Sequence, residues 1–224
     1  MEKFMKHFAN TNSNTYANTY ANTNGKLNTA VILAGGKSSR LPFDKQTLNI
    51  NGNLMPVFIA NRLSLEFDRV IIVSNKPELY RNNCPYEVVS DTFIGVGPKA
   101  GILTGLEHAT DEFVYFTGCD MPFVNLPYIR YMKRLILNAP RPLSVVISIK
   151  NGYYEPFNAF YSKDLIPVLL TQLNANDNKI SNCYSENSII KIDERTQSEF
   201  DPHGLMFINL NTPKDFETLQ SKQL

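Results

Sequence analysis

The amino-acid sequence predicts an α/β fold with three layers, in which a mostly parallel sheet lies between two layers of helices. From residue 29 onward, short apolar runs rich in Val, Ile and Phe alternate with segments of helical periodicity. The runs are continuously apolar, which is typical of strands covered on both faces. Strands that alternate with helices are joined by right-handed crossovers and pair in parallel.

The first 27 residues are predicted to be a disordered tail that precedes these elements. Residues 10–24 contain six Asn and four Thr, no charged residue and a tandem Thr-Tyr-Ala-Asn repeat. Such a segment buries too little apolar surface to offset the entropy lost on ordering. Residues 28–224 contain no linker-like segment, so we expect them to form a single domain.

Five apolar runs in the first two thirds of the chain are predicted to be strands: 29–33, 69–74, 87–90, 112–117 and 142–149. Helices are predicted between them at 54–66, 100–109 and 126–137. In the last of these helices, apolar residues recur every three or four positions, which is the spacing of one helix face. This order of elements predicts repeated strand–helix–strand units.

The remainder of the domain is less regular. Residues 158–162 and 204–210 are predicted to be strands, and residues 164–173 a helix. A final helix is predicted within 211–219, where Thr212 is the expected N-cap, a proline follows it and acidic residues occupy the first turn.

The composition excludes several classes of function. The net charge is +1, which gives no indication of a nucleic-acid or membrane surface. The three cysteines, Cys84, Cys119 and Cys183, form no Cys-x-x-Cys pair, which argues against a disulfide framework or a structural zinc site and fits a reducing compartment. No apolar run approaches the length of about 18 residues that a membrane helix needs, and the N-terminus lacks the apolar core of a signal peptide. We therefore expect a cytoplasmic protein without nucleic-acid or membrane partners.

A loop of glycines, hydroxyls and cations follows the first predicted strand. Gly35 and Gly36 come directly after the apolar residues, and Lys37, Arg40 and Lys45 add positive charge. Glycines let backbone amides approach a polyphosphate closely, and arginine and lysine complement its charge. The loop is therefore a candidate phosphate site, although a tight turn with solvated cations would have the same composition.

Two other phosphate-binding motifs fit this sequence less well. A P-loop would need a glycine at position 31, where this chain has Val. Residues 95–100 match G-x-G-x-x-A, and Asp120 follows at roughly the spacing of a ribose-binding acid in NAD-dependent enzymes. However, these glycines do not follow a strand directly, Pro98 removes an amide, and the first loop is left unexplained.

Polar residues also follow three later strands. Asp120 lies just past a buried strand in Phe-Thr-Gly-Cys-Asp-Met-Pro, Asp91 follows another, and Asn75 ends a third. Ligands of open α/β sheets bind beyond the carboxyl ends of the strands. Mg²⁺ takes few protein carboxylates and completes its shell with phosphate oxygens and water. Asp120 is therefore a candidate Mg²⁺ ligand, while a turn or helix-cap aspartate is the alternative.

Five blocks of the sequence together resemble molybdenum cofactor guanylyltransferases, a family of nucleotidyltransferases. They occur in the family's order over about residues 29–219: 33–48, 90–109, 116–122, 153–163 and 207–217. The first block starts Leu-Ala-Gly-Gly and continues to an Arg and an Asp-Lys pair, whereas related cytidylyltransferases tend to have Ala-Ala-Gly. The resemblance implies a three-layer, Rossmann-like nucleotidyltransferase fold.

The resemblance also implies roles for individual residues. Catalysis would involve Arg40, Lys45 and Asp120, with Mg²⁺ held by Asp120. Asn209 and Asn211 would contact the pterin of the acceptor, since an amide supplies both a donor and an acceptor; Asn209 could instead help to hold the metal. The implied nucleotide-binding residues are Leu33, Ala34, Gly35, Gly36, Lys45, Asn75, Asp91, Gly97, Gly101 and Asp120.

The sequence departs from the family pattern at two places. Leu41 and Pro42 stand where the family usually has Met-Gly, and proline fixes φ and removes a donor. Lys99 replaces the Leu of the family's Gly-Pro-Leu-Ala-Gly; its side chain could approach the triphosphate, but we expect it to point to water. Lys179, in the polar segment 174–200, is a candidate cation for the acceptor phosphate.

The activity implied by the resemblance is transfer of GMP from GTP to the terminal phosphate of molybdenum-molybdopterin, with release of pyrophosphate. Transient contact with molybdoenzymes or cofactor-delivery proteins is a further expectation. The alternatives are a cytidylyltransferase acting on molybdopterin, a nucleotidyltransferase acting on a sugar phosphate, and a nucleotide-binding protein without catalysis.

Overall fold

The computed structural model describes residues 27–35, 44–81, 84–93, 95–211 and 215. Most of the predicted tail and much of the loop after the first strand, including Gly36 and Arg40, lie outside these residues, and their assignments stay predictions. Leu27, at the predicted boundary of tail and domain, is buried.

Nine strands lie in the described residues: β1 (Thr29–Leu33), β2 (Asn49–Ile50), β3 (Asn53–Leu54), β4 (Arg69–Ser74), β5 (Glu87–Ser90), β6 (Phe113–Gly118), β7 (Val145–Lys150), β8 (Tyr153–Ser162) and β9 (Ile189–Ile192). Seven form one sheet in the order β5–β4–β1–β6–β8–β7–β9. β8 is antiparallel to both neighbours, and the other pairings in this sheet are parallel. The predicted mostly parallel sheet is therefore confirmed, and the carboxyl ends of β5, β4, β1 and β6 meet at one edge.

Five α-helices connect or follow the strands: α1 (Met55–Leu63), α2 (Pro98–His108), α3 (Leu126–Asn138), α4 (Ile166–Asn174) and α5 (Glu194–Phe200). The first four carry a proline in their first turn, where its missing N–H leaves no hydrogen bond unmade. Asn125 and Asp193 cap α3 and α5 by accepting hydrogen bonds from backbone amides. None of the described helices has the length and apolar content needed to cross a membrane.

The side chains of β1 show how the three layers form. Ala30 and Ile32 pack in one buried cluster with α1 and α3, whereas Val31 and Leu33 pack on the other face with α2 and α4. Successive residues of a strand point to opposite faces, so a strand covered on both sides must be apolar throughout. This is why the continuously apolar runs in the sequence predicted the layers correctly.

Two Asn-Gly turns close antiparallel hairpins. Asn51 and Gly52 join β2 to β3 with φ of 51° and 82°, and Asn151 and Gly152 join β7 to β8 with φ of 50° and 79°. Positive φ at both positions is the signature of a type I′ turn, which Asn-Gly favours. The β2–β3 hairpin was not predicted, although its turn dipeptide was a usable signal.

The prediction of a strand at 204–210 is wrong. Gly204 has a φ of 63° and precedes a single 3₁₀ turn, Leu205–Phe207. The Asp201 carboxylate accepts a hydrogen bond of 2.7 Å from the Met206 amide, which stabilises this turn. A short apolar run is compatible with a strand or with a buried turn, and periodicity does not separate the two.

The chain between α4 and the C-terminus contains two further elements that were not predicted. β9 has the sequence Ile-Ile-Lys-Ile, in which Lys191 interrupts the apolar residues and only Ile192 is buried, so it shows no continuous apolar run of a covered strand. α5 has only seven residues. β7 begins at Val145 rather than at the predicted residue 142. The helix predicted within 211–219 lies outside the described residues, apart from Asn211 and Asp215.

Candidate active site

A cavity of about 320 Å³ opens at the carboxyl ends of β1 and β6. Six of the residues predicted to bind nucleotide or metal line it, together with six that were not assigned. The lining residues are Leu33, Ala34, Gly35, Asp44, Lys45, Gln46, Gly97, Pro98, Gly118, Cys119, Asp120 and Phe157. The tertiary structure thus brings the first block of the sequence to the Asp120 block, as expected from the parallel pairing of β1 and β6.

Backbone hydrogen bonds that extend past the strand ends hold the rim of this cavity. The Ala34 amide donates to the Val73 carbonyl at 2.8 Å, and the Cys119 amide donates to the Leu33 carbonyl at 3.0 Å. These bonds continue the parallel ladders by one residue on each side of β1. The sheet therefore fixes the backbone of Ala34, the residue just before Gly35.

Lys45 joins three distant parts of the chain in the cavity. Its Nζ donates to Asp120 Oδ2 at 2.6 Å and to Asn211 Oδ1 at 2.7 Å. The side chains of Lys45 and Asp120 are 19% and 21% exposed, so the pair is partly shielded from solvent. Charge-assisted hydrogen bonds of this length are about twice as strong as neutral ones. A cation and a carboxylate therefore lie opposite each other in the cavity that Gly35 also lines.

The side chain of Asp120 lies close to the backbone of Gly118. A Cβ atom at Gly118 would lie 2.7 Å from Asp120 Oδ1, which is closer than real Cβ contacts. The Leu210 amide donates to the Asp120 carbonyl at 2.8 Å and brings the C-terminal segment to the same loop. Gly118 is a site residue that the sequence analysis missed, and its signal was only its place at the end of a buried strand.

Gly35, Asn75 and Asp91 come together at the ends of β1, β4 and β5. A Cβ atom at Gly35 would lie 3.6 Å from Asp91 Oδ2 and 3.7 Å from the Asn75 amide nitrogen. Asp91 Oδ1 accepts a hydrogen bond of 3.1 Å from the Phe93 amide. Burial raises the pKa of Asp91 above its ordinary value, and this hydrogen bond opposes the rise. The structure thus groups three of the predicted nucleotide-binding residues at one corner of the sheet edge.

Lys45 is the first residue of a short 3₁₀ turn, Lys45–Thr47, which positions its side chain. Asp44 caps the turn by accepting a hydrogen bond of 3.1 Å from the Gln46 amide, and its other oxygen pairs with Lys76 Nζ at 2.8 Å. The hydrogen bond to Asp44 raises the pKa of Lys76. Asp44 belongs to the Asp-Lys pair of the first block, and its capping bond explains why an acid precedes the lysine.

Gln46 is the middle residue of this turn, and it is buried. Its carboxamide contacts the hydroxyls of Ser74 and Tyr80 and the side chain of Asn75. No role for Gln46 could be predicted from the sequence, because a polar residue in a predicted loop is ordinarily solvated.

Gly97 and Pro98, at the start of α2, form part of the cavity wall. Gly97 has a φ of 109° and precedes the helix, so a side chain at that position would be strained. Gly101 lies one turn further on, where a Cβ atom would be 3.1 Å from Leu33 Cδ2. Of the described residues, Gly97 is part of the cavity lining and Gly101 is not. Gly101 therefore packs α2 against β1.

The expectation that Lys99 points to water is wrong. Its side chain is fully buried, and Nζ donates to the Asp177 carbonyl at 2.8 Å with Asp177 Oδ2 at 3.7 Å. The charge is tolerated because a carbonyl and a carboxylate face it. Lys99 therefore holds the segment after α4 against the start of α2. Lys179 is exposed, and its amide donates to Asp177 Oδ1.

Two residues of the 153–163 block lie at or near the cavity. Phe157 lines the cavity, and the Glu155 carboxyl lies near Asp120. Burial raises the pKa of Glu155, and the negative charge of Asp120 adds to this rise. Asn211 reaches Lys45, whereas Asn209 is half-buried and is not part of the lining formed by the described residues.

A divalent cation at this site would take few ligands from the protein. Within the part of the chain that the structure describes, no group of three or more His, Cys, Asp or Glu side chains converges as a metal cluster. Asp120 offers one partly exposed carboxylate. Such a donor set suits Mg²⁺, which binds through one or two carboxylates and takes its other ligands from phosphate and water.

Several known proteins are similar to this chain in sequence and in fold. Residues 30–190 match the MobA-like NTP transferase domain family. The chain is 42% identical over 192 residues to a molybdenum cofactor guanylyltransferase of Syntrophotalea carbinolica, covering 86% of this chain and 90% of that one. It is 38% identical over 190 residues to a probable molybdenum cofactor guanylyltransferase of Peptoclostridium acidaminophilum, with coverages of 84% and 86%.

Among solved structures, molybdopterin-guanine dinucleotide biosynthesis protein A of Archaeoglobus fulgidus superposes with a TM-score of 0.74 at 22% identity, covering 87% of this chain and 99% of that one. This likeness confirms the fold predicted from the sequence. In agreement with its sequence blocks, the chain belongs to the MobA-like NTP transferase family.

Proposed function

We propose that this protein transfers GMP from GTP to the terminal phosphate of molybdenum-molybdopterin. An oxygen of the acceptor phosphate bonds to the α-phosphorus of GTP, and the bond from that phosphorus to the bridging oxygen breaks to release pyrophosphate. The observation that carries the proposal is the Lys45–Asp120 pair at 2.6 Å in a cavity that Gly35 also lines. The names of relatives at 42% and 38% identity support the choice of GTP and molybdopterin.

In this proposal, the carboxylate of Asp120 would hold Mg²⁺, an ion that suits the donor set at the site. Bound there, Mg²⁺ would supply positive charge that neutralises the triphosphate. Lys45 lies within the same cleft and would stabilise the negative charge that develops on the leaving pyrophosphate. Arg40 and the Gly36 amide are proposed to act with Lys45, and both lie outside the described residues.

The reaction needs no general base in this scheme. A phosphate monoester is largely ionised near neutral pH, so its oxygen is already a nucleophile. Catalysis then depends on holding the acceptor in line with the α-phosphorus and on fixed charges around the triphosphate. The acceptor would be held by Asn209 and Asn211, whose amides match the mixed donors and acceptors of a pterin edge.

The remaining nucleotide contacts follow from the same proposal. Asn75 and Asp91 would face the nucleoside at the corner beside Gly35, and Gly97 would approach the phosphates at the start of α2. We also propose that the protein works in the cytoplasm, since its three cysteines are free thiols.

Pyrophosphate release from purified protein tests the proposed function directly. GTP, CTP and ATP are each supplied with Mg²⁺ and purified molybdenum-molybdopterin, and the pterin product is identified by mass spectrometry. Release with GTP and formation of a guanine dinucleotide are expected. Release with CTP alone would establish the cytidylyltransferase alternative, and release with a sugar phosphate as the sole acceptor would establish the other.

A further inference from the structure

The side chain of Gln46 is 1% exposed and connects the cavity to the end of β4. Its Oε1 accepts hydrogen bonds from Ser74 Oγ at 2.6 Å and from the Tyr80 hydroxyl at 3.0 Å. Its Nε2 donates to Asn75 Oδ1 at 2.9 Å. All three partners belong to the described residues, and each bond has ordinary geometry.

The two hydroxyls determine which way the Gln46 carboxamide faces. Ser74 Oγ accepts a hydrogen bond of 2.9 Å from the Lys76 amide, so its own hydrogen is available for Gln46 Oε1. Burial raises the pKa of Tyr80, which keeps its hydroxyl protonated as a donor. A reversed carboxamide would leave a buried hydroxyl hydrogen without an acceptor among the described residues, which is costly.

The orientation of Gln46 in turn determines that of Asn75. Because Gln46 Nε2 is a donor, the Asn75 atom that meets it must be the carbonyl oxygen. The Nδ2 group of Asn75 has no partner among the described residues and is the polar group left for a ligand. An asparagine without such a contact could turn either its donor or its acceptor toward the nucleotide.

We infer that Gln46 is a positioning residue, which holds Asn75 so that its amide hydrogens face an acceptor atom of the nucleoside in GTP. The inference rests on the proposed function, in which Asn75 contacts the nucleotide. Gln46 follows Lys45 directly in the 3₁₀ turn, so one turn places a cation in the cavity and a carboxamide behind it. The same turn therefore couples the phosphate end of the site to its nucleoside end.

The test compares Gln46→Glu with Asn75→Ala and with the double variant. A carboxylate at this position keeps the shape of the side chain but cannot donate, so Asn75 is expected to reverse and to offer its oxygen to the nucleoside. Loss of one such hydrogen bond should raise KM for GTP about tenfold, with kcat within about twofold of wild type. Asn75→Ala should raise KM similarly, and adding Gln46→Glu to it should change KM no further.

A matched control uses the same chemical change away from the cavity. Gln197 is also buried, and its Nε2 donates to the carbonyls of Ile149 and Ile192 at 2.8 Å each. Gln197→Glu should lower thermal stability and leave KM for GTP unchanged. If Gln46→Glu does not fold, Gln46→Met and Tyr80→Phe replace it, and each should raise KM only when Asn75 is present.

The outcomes separate this inference from the proposed function. Wild-type protein that releases no pyrophosphate from GTP would overturn the proposed function, and the inference would fall with it. Wild-type activity combined with a KM rise in Gln46 variants that persists in the Asn75→Ala background would overturn the inference alone. A loss of kcat without a change in KM would also overturn it.

Discussion

In the proposed reaction, the charge of the cavity depends strongly on the carboxylate of Asp120. It lies 2.6 Å from the Lys45 ammonium, and Lys45 also reaches Asn211 at 2.7 Å. Ion pairs that are partly shielded from solvent are screened less than surface pairs, so each charge alters the field at the other. A substitution that removes the charge of Asp120 without changing its volume should therefore act on function and leave the core intact.

Asp120→Asn is expected to lower the rate of pyrophosphate release by about 10²- to 10³-fold, the usual cost of losing one preorganised charge. Steady-state kinetics measures the loss, and a melting temperature close to wild type shows that the fold survives. Asp164→Asn makes the same change at an exposed carboxylate and should alter neither quantity. Near wild-type turnover by the Asp120 variant would contradict the assignment of the metal ligand.

Asp91 illustrates a residue whose burial has a cost in stability. The residue is 8% exposed, and burial raises the pKa of its carboxyl group above the ordinary value of 3.8. The folded protein thus holds this proton more tightly than the unfolded chain does. The stability that follows from it is fully present below pH 3.8 and is lost as the pH rises through the folded-state pKa.

Asp91→Asn is therefore expected to raise the free energy of unfolding at about pH 7, where the wild-type carboxyl is charged. The difference between variant and wild type should narrow as the pH falls toward 3.8. Urea unfolding at several pH values measures the free energy of unfolding of variant and wild type, and so gives both their difference at about pH 7 and its change with pH. A difference that does not change with pH would show that burial of the charge is not its cause. Weaker GTP binding by the same variant is the expected functional cost.

Among the elements, α2 approaches the sheet more closely than a side chain allows. A Cβ atom at Gly105 would lie 2.6 Å from Phe116 Cε1 and 2.9 Å from Val31 Cγ1. At Gly101 it would lie 3.1 Å from the end of the Leu33 side chain, which has freedom to move. Both glycines lie inside a helix, where alanine is intrinsically preferred by about 1 kcal/mol.

Gly105→Ala is expected to destabilise the protein by about 1–3 kcal/mol, since a ring and a β-branched side chain must move to admit the methyl group. Gly101→Ala gives a matched comparison with a smaller loss, because Leu33 can shift its methyl groups. Urea unfolding of both variants measures the difference in the free energy of unfolding. Equal stability of the two variants would contradict the account of close packing.

The whole molecule assembles its site from parts that are far apart in the chain. Lys45 and Asn211 are 166 positions apart in the chain, and the Lys45 ammonium contacts both Asn211 and Asp120. The parallel order of β4, β1 and β6 aligns three strand ends, and the C-terminal segment returns to the same edge. A ligand that bridges these parts should stabilise the entire fold.

GTP with Mg²⁺ is expected to raise the melting temperature. At about 100 times its dissociation constant, a ligand that binds only the folded state adds about 2.7 kcal/mol to the free energy of unfolding. For a chain of this size, that corresponds to several degrees. NADH should give no shift, and chelation of Mg²⁺ should reduce the shift with GTP. Stabilisation by NADH alone would instead favour a dinucleotide enzyme.

Much of this architecture could be predicted because local signals and tertiary demands agree. The strand at 29–33 is apolar throughout because both of its faces are covered, and α3 shows one apolar face because only one side meets the sheet. Elements without such a pattern were missed. β9 is half-exposed, and the turn at Leu205–Phe207 has an apolar sequence but no strand partner.

Some residues of the candidate site could likewise be predicted from the sequence, and others could not. Gly35, Lys45 and Asp120 were predicted, because glycine, cation and carboxylate at strand ends carry their chemistry in their residue types. Gln46 and Lys99 were not, because their importance comes from burial. Both are polar residues that local reasoning assigns to solvent, yet each is enclosed by partners from elsewhere in the chain.

The sequence by itself determined the order of the covered strands, the helices between them and the residue types available to bind phosphate and metal. Those properties follow from periodicity and side-chain chemistry, which act over a few neighbouring positions. Only the tertiary structure decided that Lys45 meets both Asp120 and Asn211, and that Gln46 orients Asn75. Contacts between distant segments depend on how the sheet is paired and closed, and no local pattern of residues records that geometry.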